Sequence, residues 1–214
     1  MTLKGKIMNL TTESPSHYDD LEQLPVRKLL EYINEEDKTV PFAVERAIPQ
    51  IERFVVAACE RMNRGGRLFY IGAGTSGRLG VLDASEIPPT FGAPADWVTG
   101  IIAGGDHALR NPIEFAEDNE AQAWEDLAAF QCSGADIVVG IAASGTTPYV
   151  LGGLEHARRI GALTGCIVCN AGTPIAAAVE YPIEIPVGPE FITGSTRMKS
   201  GTATKLALNM ISTR

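Results

Sequence analysis

Three segments of the sequence are apolar at almost every position, and each is followed by a loop of small residues. They are RLFYI (residues 67–71), ADIVVGIAA (135–143) and TGCIVCN (164–170). Strands that are apolar on both faces are typical of a parallel sheet, because helices cover such a sheet on both sides. Helical patterns alternate with these strands, so we predict an α/β fold, a three-layer sandwich around a mainly parallel sheet.

Weaker signals place the remaining elements. A second strand is expected within residues 96–105, and an edge strand that contains two prolines within 180–188. The prolines Pro88 and Pro89 indicate a helix end just after Glu86. Apolar residues at helical spacing predict helices over residues 21–35, 40–64 (kinked at Pro49), 76–87, 111–130, 149–161 and 202–211.

Charge and hydropathy limit the classes of partner. The 214 residues carry a formal net charge of −8, whereas nucleic-acid binding needs a basic surface, so we expect no nucleic acid as the main partner. No run of about 18 apolar residues predicts a membrane span. Residues 1–15 lack the apolar core of a secretory signal. A small anionic ligand remains compatible with this composition.

The four cysteines (Cys59, Cys132, Cys166 and Cys169) show no spacing typical of a disulfide framework. Free thiols favour a reducing compartment, the cytoplasm. Cys166 and Cys169 form a C-x-x-C pair, which elsewhere is a redox motif or half of a metal site. Here the pair lies in a predicted strand, where residues three apart face opposite sides. We therefore interpret both thiols as core residues and expect no metal site.

A G-x-G-x-x-G motif, formed by Gly72, Gly74 and Gly77, follows the first apolar strand. In a dinucleotide-binding fold this motif is accompanied by an acidic residue at the end of the second strand, which holds a ribose. Asp96 precedes that strand here and Asp106 lies beyond its closing glycines. No G-x-x-x-x-G-K-[ST] motif is present either. The loop is therefore better interpreted as the site of a different phosphate.

Three loops rich in hydroxyl groups each precede a helix: GAGTSG (72–77), SGTTP (144–148) and TGSTRMKSG (193–201). Such loops converge at the carboxyl ends of parallel strands, where open α/β sheets bind ligands. With the amides of helix N-termini they predict a cradle for a monophosphate. The plainer alternative is that these residues only cap helices. The candidate binding residues are Gly74, Thr75, Ser76, Ser144, Thr146, Thr147, Ser195 and Arg197.

Several long motifs carry a family resemblance: INEEDKTVPFAVE, GAGTSGRLGVLDASEIPPTFG, IAGG, EFAEDN, GIAASGTTPYV and VGPEFITGSTRMKSGTATKLALNM. From about residue 12 to residue 214 the sequence resembles the N-acetylmuramic acid 6-phosphate etherases. The resemblance implies a flavodoxin-like sugar isomerase (SIS) fold. It implies an N-terminal helical segment (1–62) that packs on the core, and a phosphosugar-binding SIS domain (63–214). The family's helical C-terminal region is expected to be missing here, which puts the activity of these 214 residues alone in question.

The resemblance also implies a function. It implies a cytoplasmic bacterial lyase of cell-wall amino-sugar recycling, which cleaves the D-lactyl ether of N-acetylmuramate 6-phosphate to N-acetylglucosamine 6-phosphate and D-lactate. It implies no metal or organic cofactor, and a homodimer with active sites near the subunit interface. The glucokinase regulatory protein resembles the same family, so a phosphosugar sensor without lyase chemistry is the alternative. A sugar-phosphate isomerase is a weaker one.

The resemblance selects Glu86 and Glu117 as the catalytic pair. Elimination of an ether needs a base at C2 of the sugar and an acid at the departing oxygen, which two carboxylates in different environments can supply. We assign Glu86 as the proton donor to lactate and Glu117 as the base, and the sequence leaves an exchange of these roles open. Glu114 and Asp118 lie close to Glu117 in the sequence. Without the resemblance, either of them is an alternative candidate for the base.

Three cations, Arg78, Arg197 and Lys199, lie in the predicted ligand loops. Arg197 is the preferred partner of the lactyl carboxylate, because a guanidinium group binds a carboxylate through two hydrogen bonds. The family often has arginine where this chain has Thr146. A hydroxyl group there is compatible with phosphate binding but contributes no charge.

Overall fold

The computed structural model of the chain describes residues 10–213. The strands in this range are β1 (Leu68–Gly72), β2 (Val98–Ile102), β3 (Ile137–Ile141), β4 (Leu163–Val168) and β5 (Tyr181–Glu184). The helices are α1 (Val26–Asp37), α2 (Val40–Met62), α3 (Gly74–Phe91), α4 (Gln122–Ala129), α5 (Pro148–Arg159), α6 (Pro174–Ala178) and α7 (Lys199–Ser212). Short 3-10 turns occur at Thr11–Glu13, Leu21–Gln23, Asp106–Leu109 and Ala116–Asp118.

The sheet is wholly parallel within the described range, with the strand order β2-β1-β3-β4-β5. Tyr70 of β1 pairs with Gly100 of β2 on one side and with Val139 of β3 on the other. Every position of β1, β3 and β4 is buried, as the apolar pattern predicted. The predicted α/β fold is confirmed, and its strand order is the flavodoxin-like one.

Helices cover both faces of the sheet. One apolar cluster joins α2, α3 and α7 to the sheet, and a second cluster joins α4, α5 and α6 to the opposite face. Phe54 of α2 is fully buried in the first cluster, so α2 packs directly on the sheet. The boundary between the predicted units 1–62 and 63–214 stays a prediction, and residues 1–9 and 214 lie outside the described residues.

The C-x-x-C cysteines face opposite sides of the sheet, as the strand interpretation requires. Cys166 belongs to the cluster beneath α4 to α6, and Cys169 belongs to the cluster beneath α2, α3 and α7. Burial raises the pKa of each thiol to about 12. Both are therefore protonated core residues at neutral pH.

The predicted helix over 111–130 is wrong in its first half. Helix α4 begins only at Gln122, and Glu117 lies in a separate 3-10 turn. Phe115 adopts a left-handed backbone (φ 61°), which interrupts a helix. The Asn119 side chain accepts hydrogen bonds from the backbone N–H groups of Ala121 (3.1 Å) and Gln122 (3.3 Å), so it starts α4 much as a capping residue does.

The expected helix end at Pro88 and Pro89 is also wrong. Helix α3 contains both prolines and continues to Phe91, and it ends where Gly92 adopts a left-handed backbone (φ 66°). Glu86 therefore lies inside the last turns of α3. Helix α7 begins at Lys199, three residues before the predicted start, and α6 was not predicted. None of the described helices is long and apolar enough to cross a membrane.

Candidate functional site

The strand order places a topological switch point, where open α/β sheets form a crevice, between β1 and β3. The chain leaves β1 towards α3 on one face of the sheet and leaves β3 towards α5 on the other. The loops that lead from β1 to α3 and from β3 to α5 thus run to opposite faces of the sheet from the carboxyl ends of adjacent strands. Ligands of open α/β sheets bind at such a topological switch point.

The loop after β1 is shaped by its glycines. A Cβ atom on Gly77 would lie 2.6 Å from both the Gly72 carbonyl oxygen and Cγ1 of Ile102, so this position accepts only glycine without rearrangement. Gly74 has a positive φ of 53° and opens α3. Thr75 and Ser76 follow in the first turn, each only partly buried. Their hydroxyl groups and the helix N-terminus thus lie at the crevice, where an anion is favoured.

The loop after β3 holds three of the predicted hydroxyl residues. The Ser144 and Thr146 hydroxyl oxygens lie 3.0 Å apart, and the Thr146 N–H donates to the Ser144 hydroxyl oxygen at 3.3 Å. Gly145 turns the chain with a φ of 77° and packs against Thr173. Thr147 precedes Pro148, the first residue of α5. All three hydroxyl side chains stay partly accessible beside a second helix N-terminus.

The third loop reaches the same edge of the sheet through α7. A Cβ atom on Gly201 would lie 3.7 Å from Cγ2 of Thr75, so the first turn of α7 contacts the first loop. Glu190, 1% exposed, accepts hydrogen bonds from the Lys199 N–H (2.8 Å), the Ser200 N–H (3.0 Å) and the Ser200 hydroxyl group (2.8 Å). This carboxylate thus accepts from the backbone N–H groups in the first turn of α7, which have no partner within the helix. It also restrains the loop that carries Ser195.

The three predicted cations have different surroundings. The Lys199 ammonium group is 2% exposed and donates to the Glu36 carboxylate of α1. Arg78 donates to the carbonyl oxygens of Ala108 (2.7 Å) and Leu109 (2.9 Å). Both are thus engaged in holding segments of the protein together. Arg197 is exposed on the third loop, so of these three it is the cation available to a ligand.

Glu117 lines a cavity of about 220 Å³ at the carboxyl ends of β1 and β2. Ala73 and Gly74 of the first loop line the same cavity, together with Arg78 and Glu114. The structure therefore brings Glu117 next to the loop that begins α3. Glu114 lines the cavity as well, so the geometry of the single chain does not choose between these two carboxylates.

Glu86 lies elsewhere. It is exposed and lines a groove of about 330 Å³ between α3 and α7, with Asp83, Lys205 and Asn209. Twelve residues separate it from Gly74, which corresponds to about 18 Å along the helix axis. The single chain does not place Glu86 and Glu117 in one cavity. Burial raises the pKa of Asp83, although the hydrogen bond from the Ser212 hydroxyl group (3.0 Å) acts in the opposite direction.

A larger cavity, of about 500 Å³, lies at the amino ends of the strands. Glu60, Arg61, Arg64 and Glu180 line it, so its charges are mixed and balanced. It is far from the carboxyl ends of the strands, where ligands of this architecture bind. Among residues 10–213, no three His, Cys, Asp or Glu side chains are arranged to hold a metal ion.

Sequence reasoning missed the residues that support the loops. Asn170, 2% exposed, donates from its side-chain amide to the carbonyl oxygens of Ala143 (3.3 Å) and Ser144 (3.2 Å). The same side chain bonds Thr11 and Thr12 of the N-terminal segment. The one available signal was position, because Asn170 lies two residues after the last residue of the apolar strand β4.

Comparison with known proteins identifies the family. Residues 50–158 match the family model of the glucokinase regulatory protein N-terminal SIS domain. The chain is 64% identical to an N-acetylmuramic acid 6-phosphate etherase of Porphyromonas gingivalis, in an alignment that covers 94% of this chain and 74% of the relative. It is 60% identical to one of Bacteroides fragilis (94% and 72% covered) and 53% identical to one of Lactococcus lactis (97% and 70%).

Solved structures agree at the level of the fold. A phosphoheptose isomerase from Francisella tularensis superposes with a TM-score of 0.62 at 17% identity, covering 86% of this chain and 98% of the isomerase. One from Neisseria gonorrhoeae gives a TM-score of 0.60 at 18% identity, with 86% and 97% covered. The expected SIS fold is thereby confirmed. With relatives this similar over most of its length, the chain belongs to the N-acetylmuramic acid 6-phosphate etherase family.

Proposed function

We propose that this protein is a carbon–oxygen lyase that cleaves the D-lactyl ether of N-acetylmuramate 6-phosphate, giving N-acetylglucosamine 6-phosphate and D-lactate. The observation that carries the proposal is the position of Glu117 beside the Gly74 loop, in one cavity at the carboxyl ends of β1 and β2 of an etherase-family chain. The loop residues Thr75, Ser76 and Ser144 hold the phosphate. The cavity beside them receives the sugar.

The chemistry is an elimination followed by a hydration, each with one proton removed and one delivered, and it has no redox step. In the open-chain sugar the ether oxygen lies β to the aldehyde, so removal of the C2 proton lets the C3–O bond break. Lactate leaves with a proton from a general acid. Water then adds to the unsaturated aldehyde, its hydroxyl group to C3 and a proton to C2. Two carboxylates can perform all of these transfers, and we propose that the reaction requires no metal or organic cofactor.

Glu86 and Glu117 are the proposed pair. We assign Glu86 as the acid at the lactate oxygen and Glu117 as the base at C2 or for the incoming water. Arg197 binds the lactyl carboxylate, which is an exposed anion in need of a cation. Thr146, Thr147 and Ser195 complete the polar lining of the site.

We further propose that a second copy of the chain completes each site. Glu86 lies about 18 Å along α3 from Gly74, and it lines a different opening from Glu117. One substrate reaches both carboxylates if Glu86 comes from the partner in a two-fold symmetric homodimer. The four free cysteines are consistent with a cytoplasmic location, which we propose for this reaction.

The direct test of the reaction is release of D-lactate from N-acetylmuramate 6-phosphate by the purified chain. We expect Glu86→Gln and Glu117→Gln each to lower kcat by about 100-fold or more, the usual contribution of a general acid or base. Glu114→Gln is the matched control, because Glu114 lines the same cavity as Glu117. Full activity of Glu117→Gln with loss in Glu114→Gln would reverse our choice of base. Tight binding of the substrate without lactate release would contradict the lyase proposal.

Mixing the two inactive variants tests the shared site. In a dimer of Glu86→Gln with Glu117→Gln, one site keeps both carboxylates if they come from different chains, so a mixture refolded together regains about a quarter of the wild-type activity. No recovery, with mixed dimers shown to be present, would place both carboxylates in one chain. Each variant refolded alone is the control.

A further inference from the structure

Asn170 connects the loop after β3 to the N-terminal segment of the chain. On one side its amide nitrogen donates to the carbonyl oxygens of Ala143 (3.3 Å) and Ser144 (3.2 Å). On the other side its carbonyl oxygen accepts from the Thr11 hydroxyl group (2.9 Å) and the Thr12 N–H (3.3 Å). The amide nitrogen also donates to the Thr12 hydroxyl oxygen at 2.9 Å. One buried side chain thus bonds residues 159 and 26 positions away from it in the sequence.

The hydrogen bonds from Asn170 to the loop after β3 determine which polar groups of that loop face a bound phosphate. Because Asn170 is 2% exposed, the two carbonyl oxygens that it binds point into the protein. A carbonyl oxygen that faced the crevice would repel an anion, whereas the hydroxyl groups of Ser144 and Thr146 can donate to one. The Ala143 carbonyl oxygen also accepts from the Cys169 N–H (2.9 Å), so the peptide group whose orientation depends on Asn170 is that of Ser144.

The N-terminal side is firmly attached to the same edge of the sheet. Thr12 is fully buried. The Ser16 hydroxyl group donates to the Phe191 carbonyl oxygen at 2.8 Å, and the Ser16 N–H donates to the Thr193 hydroxyl oxygen at 2.9 Å. The segment from Thr11 to Ser16 therefore contacts both the Asn170 region and the third ligand loop.

We propose that Asn170 is a positioning residue for the phosphate of the sugar, and that residues 11–16, through Asn170, are a functional part of the phosphate site. This inference rests on the proposed phosphosugar site and adds to it a residue that does not touch the ligand. Asn170 acts on affinity for the phosphate group rather than on the proton transfers. Its loss therefore raises KM and leaves kcat nearly unchanged, because a removed uniform binding interaction does not change the barrier of the bound substrate.

The test uses Asn170→Asp, which keeps the shape of the side chain. The carboxylate still accepts from Thr11 and Thr12 but can no longer donate to Ala143 and Ser144. We expect Kd for N-acetylglucosamine 6-phosphate, measured by calorimetry, and KM for the substrate to rise by about tenfold or more. Binding of unphosphorylated N-acetylglucosamine should not change. Asn34→Asp, which adds the same charge at an exposed position of α1, is the control and should leave Kd unchanged.

A second variant, Thr12→Val, tests the same connection if Asn170→Asp does not fold. Thr12→Val removes a buried hydroxyl group on the N-terminal side and leaves the amide of Asn170 intact. Thr164→Val, at a fully buried threonine at the other end of β4, is its control. A rise in Kd with Thr12→Val but not with Thr164→Val supports the proposal. Unchanged Kd in folded Asn170→Asp, or an equal rise in its Asn34→Asp control, overturns it.

The calorimetric readout separates this proposal from the lyase proposal. If the wild-type chain binds N-acetylglucosamine 6-phosphate but releases no D-lactate, the lyase proposal fails while the Kd comparison still decides the role of Asn170. If lactate is released and the variants bind like the wild type, only the role of Asn170 fails.

Discussion

The Lys199 ammonium group and the Glu36 carboxylate form an ion pair that joins α7 to α1 and is almost wholly shielded from water, with side chains 2% and 10% exposed. The second oxygen of the same carboxylate lies 3.1 Å from Nδ1 of His17. Lys199, which the sequence places in a predicted ligand loop, and Glu36, from the predicted N-terminal helical segment (1–62), are thus partners.

Removing one member of this pair should destabilise the protein strongly. Lys199→Met leaves a buried carboxylate without its cation, and we expect a loss of about 3 kcal/mol in the free energy of unfolding. The double variant Glu36→Leu with Lys199→Met should recover most of that loss, because no unpaired charge remains. Urea denaturation of the single and double variants measures both quantities, and strictly additive effects would contradict the pairing.

Acid should destabilise the protein partly through Glu36. Burial raises the pKa of this carboxyl group, but hydrogen bonds from Lys199 and His17 outweigh burial and hold the pKa below its ordinary value of 4.5. A depressed pKa stabilises the fold above the unfolded-state pKa, and this stabilisation is lost as the pH falls through the folded-state pKa. The free energy of unfolding should therefore drop between about pH 5 and pH 3.

The variant Glu36→Gln tests the assignment of that pH dependence. It should be less stable than the wild type at pH 7 and lose less stability on acidification. The pKa of Asp136 is also lowered, since hydrogen bonds from Arg67 outweigh the effect of burial, so part of the acid dependence should persist. A pH dependence identical to that of the wild type would exclude Glu36 as a contributor.

Gly77→Ala should damage the first ligand loop. The added methyl group would lie 2.6 Å from a backbone oxygen and from Ile102, which forces strand β1 and helix α3 apart. We expect a loss of about 2 kcal/mol or more in stability and weaker sugar-phosphate binding. Gly201→Ala is the control, because its new methyl group would meet its nearest neighbours at 3.7 Å, and alanine favours the helix.

Phe115→Gly should stabilise the chain. Phe115 is 77% exposed and adopts a left-handed backbone, so it has steric strain without the compensation of burial. Glycine removes a strain of about 1–2 kcal/mol, offset in part by its greater freedom in the unfolded state. Phe115→Ala keeps the Cβ atom and should give no such gain. Thermal unfolding that ranks the alanine variant above the glycine variant would contradict this explanation.

The sheet was predictable because its signal is local. Each apolar strand shows its burial in its own residues, and the switch point follows from the order in which strands and helices alternate. The hydroxyl loops were found for the same reason. The start of α4 was missed because the deciding features, the left-handed Phe115 and the cap by Asn119, oppose an otherwise helical pattern around Glu117.

The supports of the site were beyond sequence reasoning because their partners are distant in the chain. Lys199 has the residue type of a phosphate ligand, and only the position of Glu36 shows that its charge is already used. Glu190 and Asn170 are ordinary polar residues in the sequence and become identifiable through their burial. We propose that Glu86 acts from a second copy of the chain, and a pattern within one sequence does not place it beside the Glu117 of another copy.

The attachment of the N-terminal segment has a consequence for the order of folding. Hydrogen bonds join Thr11, Ser16 and Glu36 to residues 159 to 177 positions away. During synthesis this segment leaves the ribosome well before its partners, which follow it by 159 to 177 residues. Contacts of such long range form late, because their loop-closure entropy is large. The proposed phosphate site should therefore mature late, and we expect nascent chains that lack the third loop not to bind sugar phosphate.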